Sequence, residues 1–264
     1  MLEIKNLNKS FNVGTVNEKH VINDISLTVN DGDFITIIGS NGAGKSTLLN
    51  LIAGTYMPDS GKIVLDGKNI TFSSEIKRAK DIGHVFQDPM MGTAADMWIE
   101  ENLALAYRRT KKRSLSWGIS NKEREIYKKE LSRLGLGLEN SLNKKIGLLS
   151  GGQRQAVTLL MATLQKPKVL LLDEHTAALD PKTAAAVLTL SDQIIREDNL
   201  TAMMVTHNMQ NAIDYGNRLI MMHAGRIILD LSGEEKKNLT VEMLLRQFEK
   251  ASGEEFVNDR ALLS

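Results

Sequence analysis

The sequence predicts an α/β fold with a mostly parallel sheet, an N-terminal antiparallel β subdomain and an inserted helical subdomain. Three observations carry this expectation. Phe34 to Ile38, Val169 to Leu172 and Ala202 to Val205 are short, nearly continuous apolar runs, as expected of strands covered on both faces. The first run leads through a Gly-rich turn into a helical pattern, and the other two deliver Asp173-Glu174 and Thr206-His207 at their carboxyl ends. In open α/β sheets that edge is where ligands bind. Between about Asp88 and Leu149 the pattern changes to long charged helical stretches such as Asn121 to Leu134.

Along the chain, Leu2, Ile4 and Leu7, then Val21, Ile25, Leu27 and Val29, alternate with polar residues and predict short antiparallel strands with one buried face. Asp31-Gly32-Asp33 is a turn signal before the first buried strand. A helix is expected over Thr47 to Ala53, ended by Gly54. The four prolines, at 58, 89, 167 and 181, fall at element boundaries, and Glu249 to Ser264 read as a polar tail. The 264 residues suit one large domain. There is no Cys, which removes disulfides, thiolate metal sites and cysteine nucleophiles; 33 basic against 32 acidic residues give no global pull toward nucleic acid. Met1 to Ser10 lack a signal-peptide core and no window approaches a membrane span, so any work at a membrane requires other chains.

Gly39-Ser40-Asn41-Gly42-Ala43-Gly44-Lys45-Ser46, followed by Thr47, fits the phosphate-loop pattern at every fixed position and predicts a P-loop NTPase core. Glycines let successive backbone N–H groups turn inward as an anion nest at a helix N-terminus. Lys45 is expected to reach the β- and γ-phosphates and Ser46 to offer a hydroxyl to Mg²⁺. The bland alternative is a Gly-rich turn that binds nothing. Asp173 suits a water-mediated Mg²⁺ role and Glu174 that of general base toward an attacking water; a solvated strand-end pair is the alternative. His207 reaches the same predicted edge and would hydrogen-bond the γ-phosphate, unless it is simply a satisfied structural histidine. Leu149-Ser150-Gly151-Gly152-Gln153 is a second hydroxyl-and-glycine nest at a predicted helix start. Two nests and one nucleotide site suggest that the second serves another molecule's nucleotide.

With these motifs in this order, the sequence closely resembles the ATP-binding subunits of ABC transporters over about residues 1 to 245. The resemblance implies an ATPase domain over 1–248, with the helical subdomain inserted at about 88–149, and ATP and Mg²⁺ as cofactors. Ser150, Gly151, Gly152 and Gln153 match the signature motif, which completes the ATP site of the opposite subunit in a head-to-tail dimer. Gln87 matches the glutamine that senses Mg²⁺ and the attacking water, Asp180 the D-loop and His207 the switch histidine. Phe11 falls where the family places an aromatic residue against adenine, usually Tyr. His175 departs from the family, which usually has Pro there, and places a titratable side chain beside the predicted active site.

The interval from Gln87 to Ser150 is too short for the coiled coils of DNA-repair relatives, a single motif set excludes a tandem factor, and the tail is too short for a regulatory β-domain. A minimal transporter ATPase remains, as a homodimer or paired with a close homologue, peripheral at the cytoplasmic face of the membrane. Its implied partners are integral membrane permease subunits and, indirectly, a substrate-binding protein, with no nucleic acid. Pro89 to Thr93 and Met97-Trp98-Ile99 are candidates for docking a membrane subunit, or for subdomain core. The basic run Arg108 to Arg113 is a solvated stretch or a lipid-headgroup contact. The run Leu171 to Thr183 is similar to importers proposed to carry tryptophan or tyrosine. An exporter ATPase and a non-transport ABC-type ATPase stay open as alternatives.

Overall fold

The computed structural model describes residues 1–110 and 118–252. The chain opens with strands β1 (Leu2–Phe11), β2 (Lys19–Val29) and β3 (Phe34–Gly39), helix α1 (Lys45–Ala53), β4 (Ser60–Leu65), β5 (Lys68–Asn69) and the short α2 (Glu75–Arg78). It continues through β6 (Ile82–Val85), α3 (Ile99–Tyr107), α4 (Asn121–Ser132), α5 (Gly151–Thr163), β7 (Val169–Asp173) and α6 (Pro181–Glu197). The described chain ends with β8 (Ala202–Val205), α7 (Met209–Asp214), β9 (Arg218–His223), β10 (Arg226–Ser232), α8 (Gly233–Lys237) and α9 (Val241–Ser252). It packs as two compact units, Met1–Arg78 with the chain from Asn199 onward, and Ala79–Asp198. Among the described residues, no helix is long and apolar enough to cross a membrane.

In the first unit, β1 pairs antiparallel with β2 and β4. The expectation of short strands is corrected here: β1 has 10 residues and β2 has 11. The alternation breaks because the register shifts between Ile4 and Leu7, where Asn6 (φ 48°) and Asp24 (φ 53°) both take left-handed backbone. The Asn6 amide donates to Asp24 Oδ1 at 2.9 Å, fastening the two irregular positions together. The bulge moves the buried phase from Leu2 and Ile4 to Leu7, so one continuous strand reads as two fragments.

Strand β3 is buried at all six positions and pairs parallel with both β8 and β9, as its unbroken apolar run predicts; β10 adds to β9 antiparallel. Thr36, its one polar side chain, donates from Oγ1 to the Ala212 carbonyl at 2.8 Å and so is buried without an orphaned hydroxyl. Ile38 packs with Met209, Ala212, Leu219, Met221 and Phe248, and each of the larger side chains contributes roughly 1.5–3 kcal/mol on burial.

Helix α1 starts two residues before its predicted position because Gly44, at φ 97°, turns the chain straight from the loop into the helix. Its far end is held by an arginine whose role has no local sequence signal. Arg78 is 2 % exposed and donates to the carbonyls of Leu51 (2.7 Å), Ile52 (2.8 Å), Thr71 (2.7 Å) and Ser73 (3.0 Å). A cation at a helix C-terminus meets the negative end of the dipole, which offsets part of the desolvation that lowers the Arg78 pKa.

In the second unit, β6 and β7 pair in parallel, with Val85 opposite Leu172. Helix α5 packs against α3, α4, α6 and β6, so the helices within the 88–149 segment share a unit with two strands and α6. Helix α4 begins at a reciprocal cap between Ser120 and Glu123. Arg108 grips the same Glu123 through two bonds, at 2.9 and 2.8 Å, and holds its carboxyl down at about 2. Arg109 reaches the Ala162 carbonyl at 3.5 Å, so two cations of the basic run are engaged inside the unit. Lys111, Lys112 and Arg113 lie outside the described residues.

Replacing Arg78 by Met removes the guanidinium from four carbonyls and is expected to lower unfolding stability by roughly 3 kcal/mol or more. Urea denaturation measures this, and a loss below about 1 kcal/mol would show that the carbonyls find other partners.

Candidate functional site

The phosphate loop is set in the first unit by two close backbone approaches. A β-carbon on Gly39 would lie 2.1 Å from the Met222 carbonyl oxygen, and one on Gly44 would lie 2.7 Å from that of Val21. Only glycine fits at either position. Lys45 is 5 % exposed and its Nζ donates to the carbonyls of Gly39 (2.9 Å) and Ser40 (3.1 Å), which draws the loop around the ammonium. Gly44 offers no side-chain cap to the first turn of α1, and a helix N-terminus built in this way favours an anion. Asn41 and Gly42 are exposed, whereas Ser46 and Thr47 are half-buried in the first turn.

Phe11 closes β1 and is half-buried. Its ring meets the Tyr56 ring edge-on, with centroids 5.2 Å apart, and Lys9 Nζ stands 5.5 Å from its centroid. Lys9 is tied to Asp59 at 2.8 Å, and the other Asp59 oxygen accepts from the Ser10 amide at 2.6 Å. Burial opposes ionisation of Asp59, but these bonds hold its carboxyl below the usual range. Tyr56, Lys9 and Asp59 escape sequence reasoning because they lie in turns or on alternating polar positions without a motif. His207 follows β8 and is half-buried; since β8 runs parallel to β3, it emerges at the same carboxyl edge as Gly39.

In the second unit, Asp173 ends β7 at 9 % exposure, and Glu174 is half-buried at φ 45°. Left-handed backbone at a glutamate costs roughly 1–3 kcal/mol, a strain typical of functional turns. Gln87, two residues beyond β6, is exposed at the same edge as Glu174, two residues beyond Leu172 in the paired strand. His175 does not titrate beside the site as its position in the sequence suggests. It is 2 % exposed and points to Ser191, with Nε2 and Oγ 3.0 Å apart. Because Ser191 Oγ donates to the Val187 carbonyl at 2.8 Å, it accepts from His175, which fixes the neutral Nε2–H tautomer. Burial pushes the imidazole down to about 4. The same cause brings His84 to about 4; its ring lies 4.1 Å from that of Phe86.

Ser150 caps α5 reciprocally: its Oγ accepts from the Gln153 amide at 3.3 Å, and Gln153 Oε1 accepts from the Ser150 amide at 3.2 Å. The remaining first-turn amides belong to Gly151 and Gly152, where helix geometry provides no intrahelical acceptor. A β-carbon on Gly152 would lie 2.2 Å from Thr183 Cγ2. Thr183 in turn donates its amide to Asp180 Oδ1 at 3.1 Å, the N-cap of α6, and the Thr183 hydroxyl together with that amide holds the exposed Asp180 carboxyl below its usual range. The signature glycines and Asp180 thus form one packed cluster. Arg154 clamps the chain before it, donating to the carbonyls of Gly147 (3.0 Å) and Leu149 (3.2 Å) and to Met90 Sδ at 2.8 Å. Of the candidate docking residues, Met90, Met91 and Trp98 are exposed, Met97 is half-buried, and Ile99 is fully buried in the core. The segment carrying them is laced by backbone bonds to residues 144–147, which approach Ser150.

Each unit therefore gathers its own set: Phe11, the loop and His207 in one; Gln87, Asp173, Glu174, Ser150 to Gln153 and Asp180 in the other. A cationic helix end beside an aromatic residue suits a nucleoside polyphosphate. A first-turn hydroxyl and a strand-end carboxylate are hard oxygen donors of the kind Mg²⁺ takes in small number alongside phosphate. A protein-family model described as ABC transporter matches residues 22–177. The chain belongs to the ABC transporter family. It is the ATP-binding, ATP-hydrolysing component that this family uses to drive transport. It is 48% identical over 251 residues to a tyrosine transport ATP-binding protein of Clostridioides difficile, covering 95% of this chain and 100% of the relative. The energy-coupling factor transporter ATP-binding protein EcfA2 of Ligilactobacillus salivarius is 32% identical over 89% of this chain and 80% of its own length. A dimeric ATP-binding cassette solved in a post-hydrolysis state with ADP and Pi matches with a TM-score of 0.75 at 28% identity, covering 88% of this chain and 98% of that one.

The buried imidazoles give this ATPase a pH signature. His175 and His84 have pKa values of about 4 against an ordinary 6.5, so the unfolded chain takes up these protons first. Their contribution is full above pH 6.5 and is lost as pH falls toward 4, roughly 3 kcal/mol for each group over the whole window. Denaturation midpoints measured from pH 7 to pH 4.5 are expected to fall steadily in the wild type and less steeply in His175→Gln. An equal slope in both would show that the imidazole is not buried in solution.

Proposed function

We propose that two copies of the chain, or one copy and a close homologue, enclose two ATP molecules head to tail, each held by the phosphate loop of one and Ser150 to Gln153 of the other. The observation that carries this reading is the second anion-ready helix end. The α5 N-terminus has the amides of Gly151 and Gly152 to offer, while α1 with Lys45 forms a phosphate nest of its own. That relatives in this family include a dimeric cassette with ADP and Pi supports it.

In this reading Phe11 packs on the adenine, Gly39 to Gly44 wrap the phosphates with their amides, and Lys45 leaves the loop carbonyls for the β- and γ-phosphates. Thr47 adds a first-turn donor. Glu174 takes the proton of the attacking water, Gln87 orients that water, and His207 donates to the γ-phosphate as charge builds on it. Asp180, packed through Thr183 against the signature glycines of its own chain, joins them as a contact to the nucleotide of the other copy. Mg²⁺, when bound, would be held by Ser46, Gln87 and, through water, Asp173, and would neutralise phosphate charge. The left-handed backbone of Glu174 sets the direction in which its side chain leaves the strand end.

We further read the chain as the peripheral, cytoplasmic motor of an importer whose spans are separate permease subunits, with a tyrosine-like aromatic amino acid as cargo. The 48% identity to a tyrosine transport protein over nearly the full length of both chains supports this. Met90, Met91 and Trp98 are the surface offered to the permease, Met supplying an adaptable contact and Trp an anchor.

Glu174→Gln is expected to bind ATP, to hydrolyse it at least about 100-fold more slowly, as loss of a general base costs, and to accumulate as an ATP-dependent dimer in size-exclusion chromatography. Near-normal turnover would remove Glu174 from the base role. Trp98→Ala is expected to reduce co-purification with the membrane subunit while ATP affinity stays at the wild-type value; undiminished co-purification would move the docking surface elsewhere.

A further inference from the structure

Strand β2 runs alongside the phosphate loop, close enough that the Val21 carbonyl excludes a β-carbon at Gly44. Two residues earlier, Lys19 is the cross-strand partner of Phe11. Its side chain extends from beside the aromatic residue to the loop: Nζ lies 3.3 Å from where a β-carbon on Gly42 would stand. Lys19 is exposed and makes no hydrogen bond or ion pair among the described residues. Its neighbour Glu18 is occupied by the Gly14 amide at 2.8 Å, and residues 39–47 contain no acidic side chain. Among the described residues, no protein anion pairs with this ammonium beside the loop backbone.

We propose that Lys19 is a second phosphate-contacting lysine, which closes the solvent side of the nest and ties the base platform to the polyphosphate. The two lysines are complementary. Lys45 is buried and bonded to the inner carbonyls of Gly39 and Ser40, so it approaches the phosphates from within. Lys19 approaches from outside, over Gly42, where a flexible four-carbon stem lets the charge follow the ligand. Because it is solvent-exposed, its contribution is screened by salt and is that of a surface charge pair. Since the ammonium meets phosphate in bound nucleotide before and during the reaction, it acts on binding and leaves the chemical step alone. The inference rests on the loop at 39–47 holding the phosphates.

The test is equilibrium binding of ATP, ADP and adenosine to the full chain at low salt and at about 0.5 M salt, with Lys45→Ala measured beside it. Lys19→Ala is expected to weaken ATP and ADP by about two- to fivefold at low salt, Lys19→Glu by more, and Lys19→Arg hardly at all. Adenosine affinity should stay unchanged, the differences should shrink at high salt, and steady-state kinetics should show KM raised with kcat constant. Unaltered ATP affinity in Lys19→Ala and Lys19→Glu would overturn the proposal, as would an equal, salt-insensitive loss for adenosine, which would mark a strand or base contact. Unimpaired ATP binding by Lys45→Ala would instead refute the loop assignment itself.

Discussion

The phosphate loop has no room for β-carbons where it passes two neighbouring strands, and much of the first unit follows from that constraint. Gly39 lies against the Met222 carbonyl of β9 and Gly44 against the Val21 carbonyl of β2. The loop is therefore wedged between a parallel neighbour of β3 and the antiparallel β sheet, rather than draped over the surface. With its path fixed from outside, Lys45 gathers it from inside, and α1 begins at once, without a side-chain cap. Arg78 secures the opposite end of the same helix, so that both termini of a nine-residue element are determined by contacts distant in sequence.

The second unit solves a similar problem with side chains. The reciprocal cap of Ser150 and Gln153, the missing β-carbon of Gly152 against Thr183, and the cap from Asp180 to Thr183 are one cluster in which each part restricts the next. Arg154 extends it to Met90, and the backbone bonds between 94–99 and 144–147 extend it to Trp98. Motifs that look separate along the chain are physically contiguous within this unit. His175 belongs to the same economy: where proline would restrict the backbone after Glu174, the chain instead buries a neutral imidazole on Ser191.

Much of this was legible in the sequence wherever a pattern is local. Buried strands announce themselves as apolar runs, and a phosphate loop needs its glycines and lysine at fixed spacing, so β3, β7, β8 and the loop could be placed from residues alone. The features that escaped depend on partners far along the chain. Arg78 reads as an ordinary surface cation until its carbonyls at 51 and 52 are known, and Lys19 reads as a strand-end charge until β2 is placed beside Gly42. The irregular pairing of Asn6 and Asp24 hid the true length of β1, because a bulge inverts the alternation on which strand recognition rests. His175 misled for a related reason, since its neighbour in sequence is a candidate catalytic group whereas its neighbour in space is a helix serine.

The reciprocal cap on α5 also bears on how copies of the chain would recognise each other. Its two side chains are spent on their own helix, and the donors left over are backbone amides whose direction the cap already dictates. These two capping side chains therefore have little ordering entropy left to lose on contact. In the proposed head-to-tail pair, association would then be governed by whether a phosphate is present between the copies, so that nucleotide occupancy, rather than any refolding at the interface, would set the lifetime of the pair.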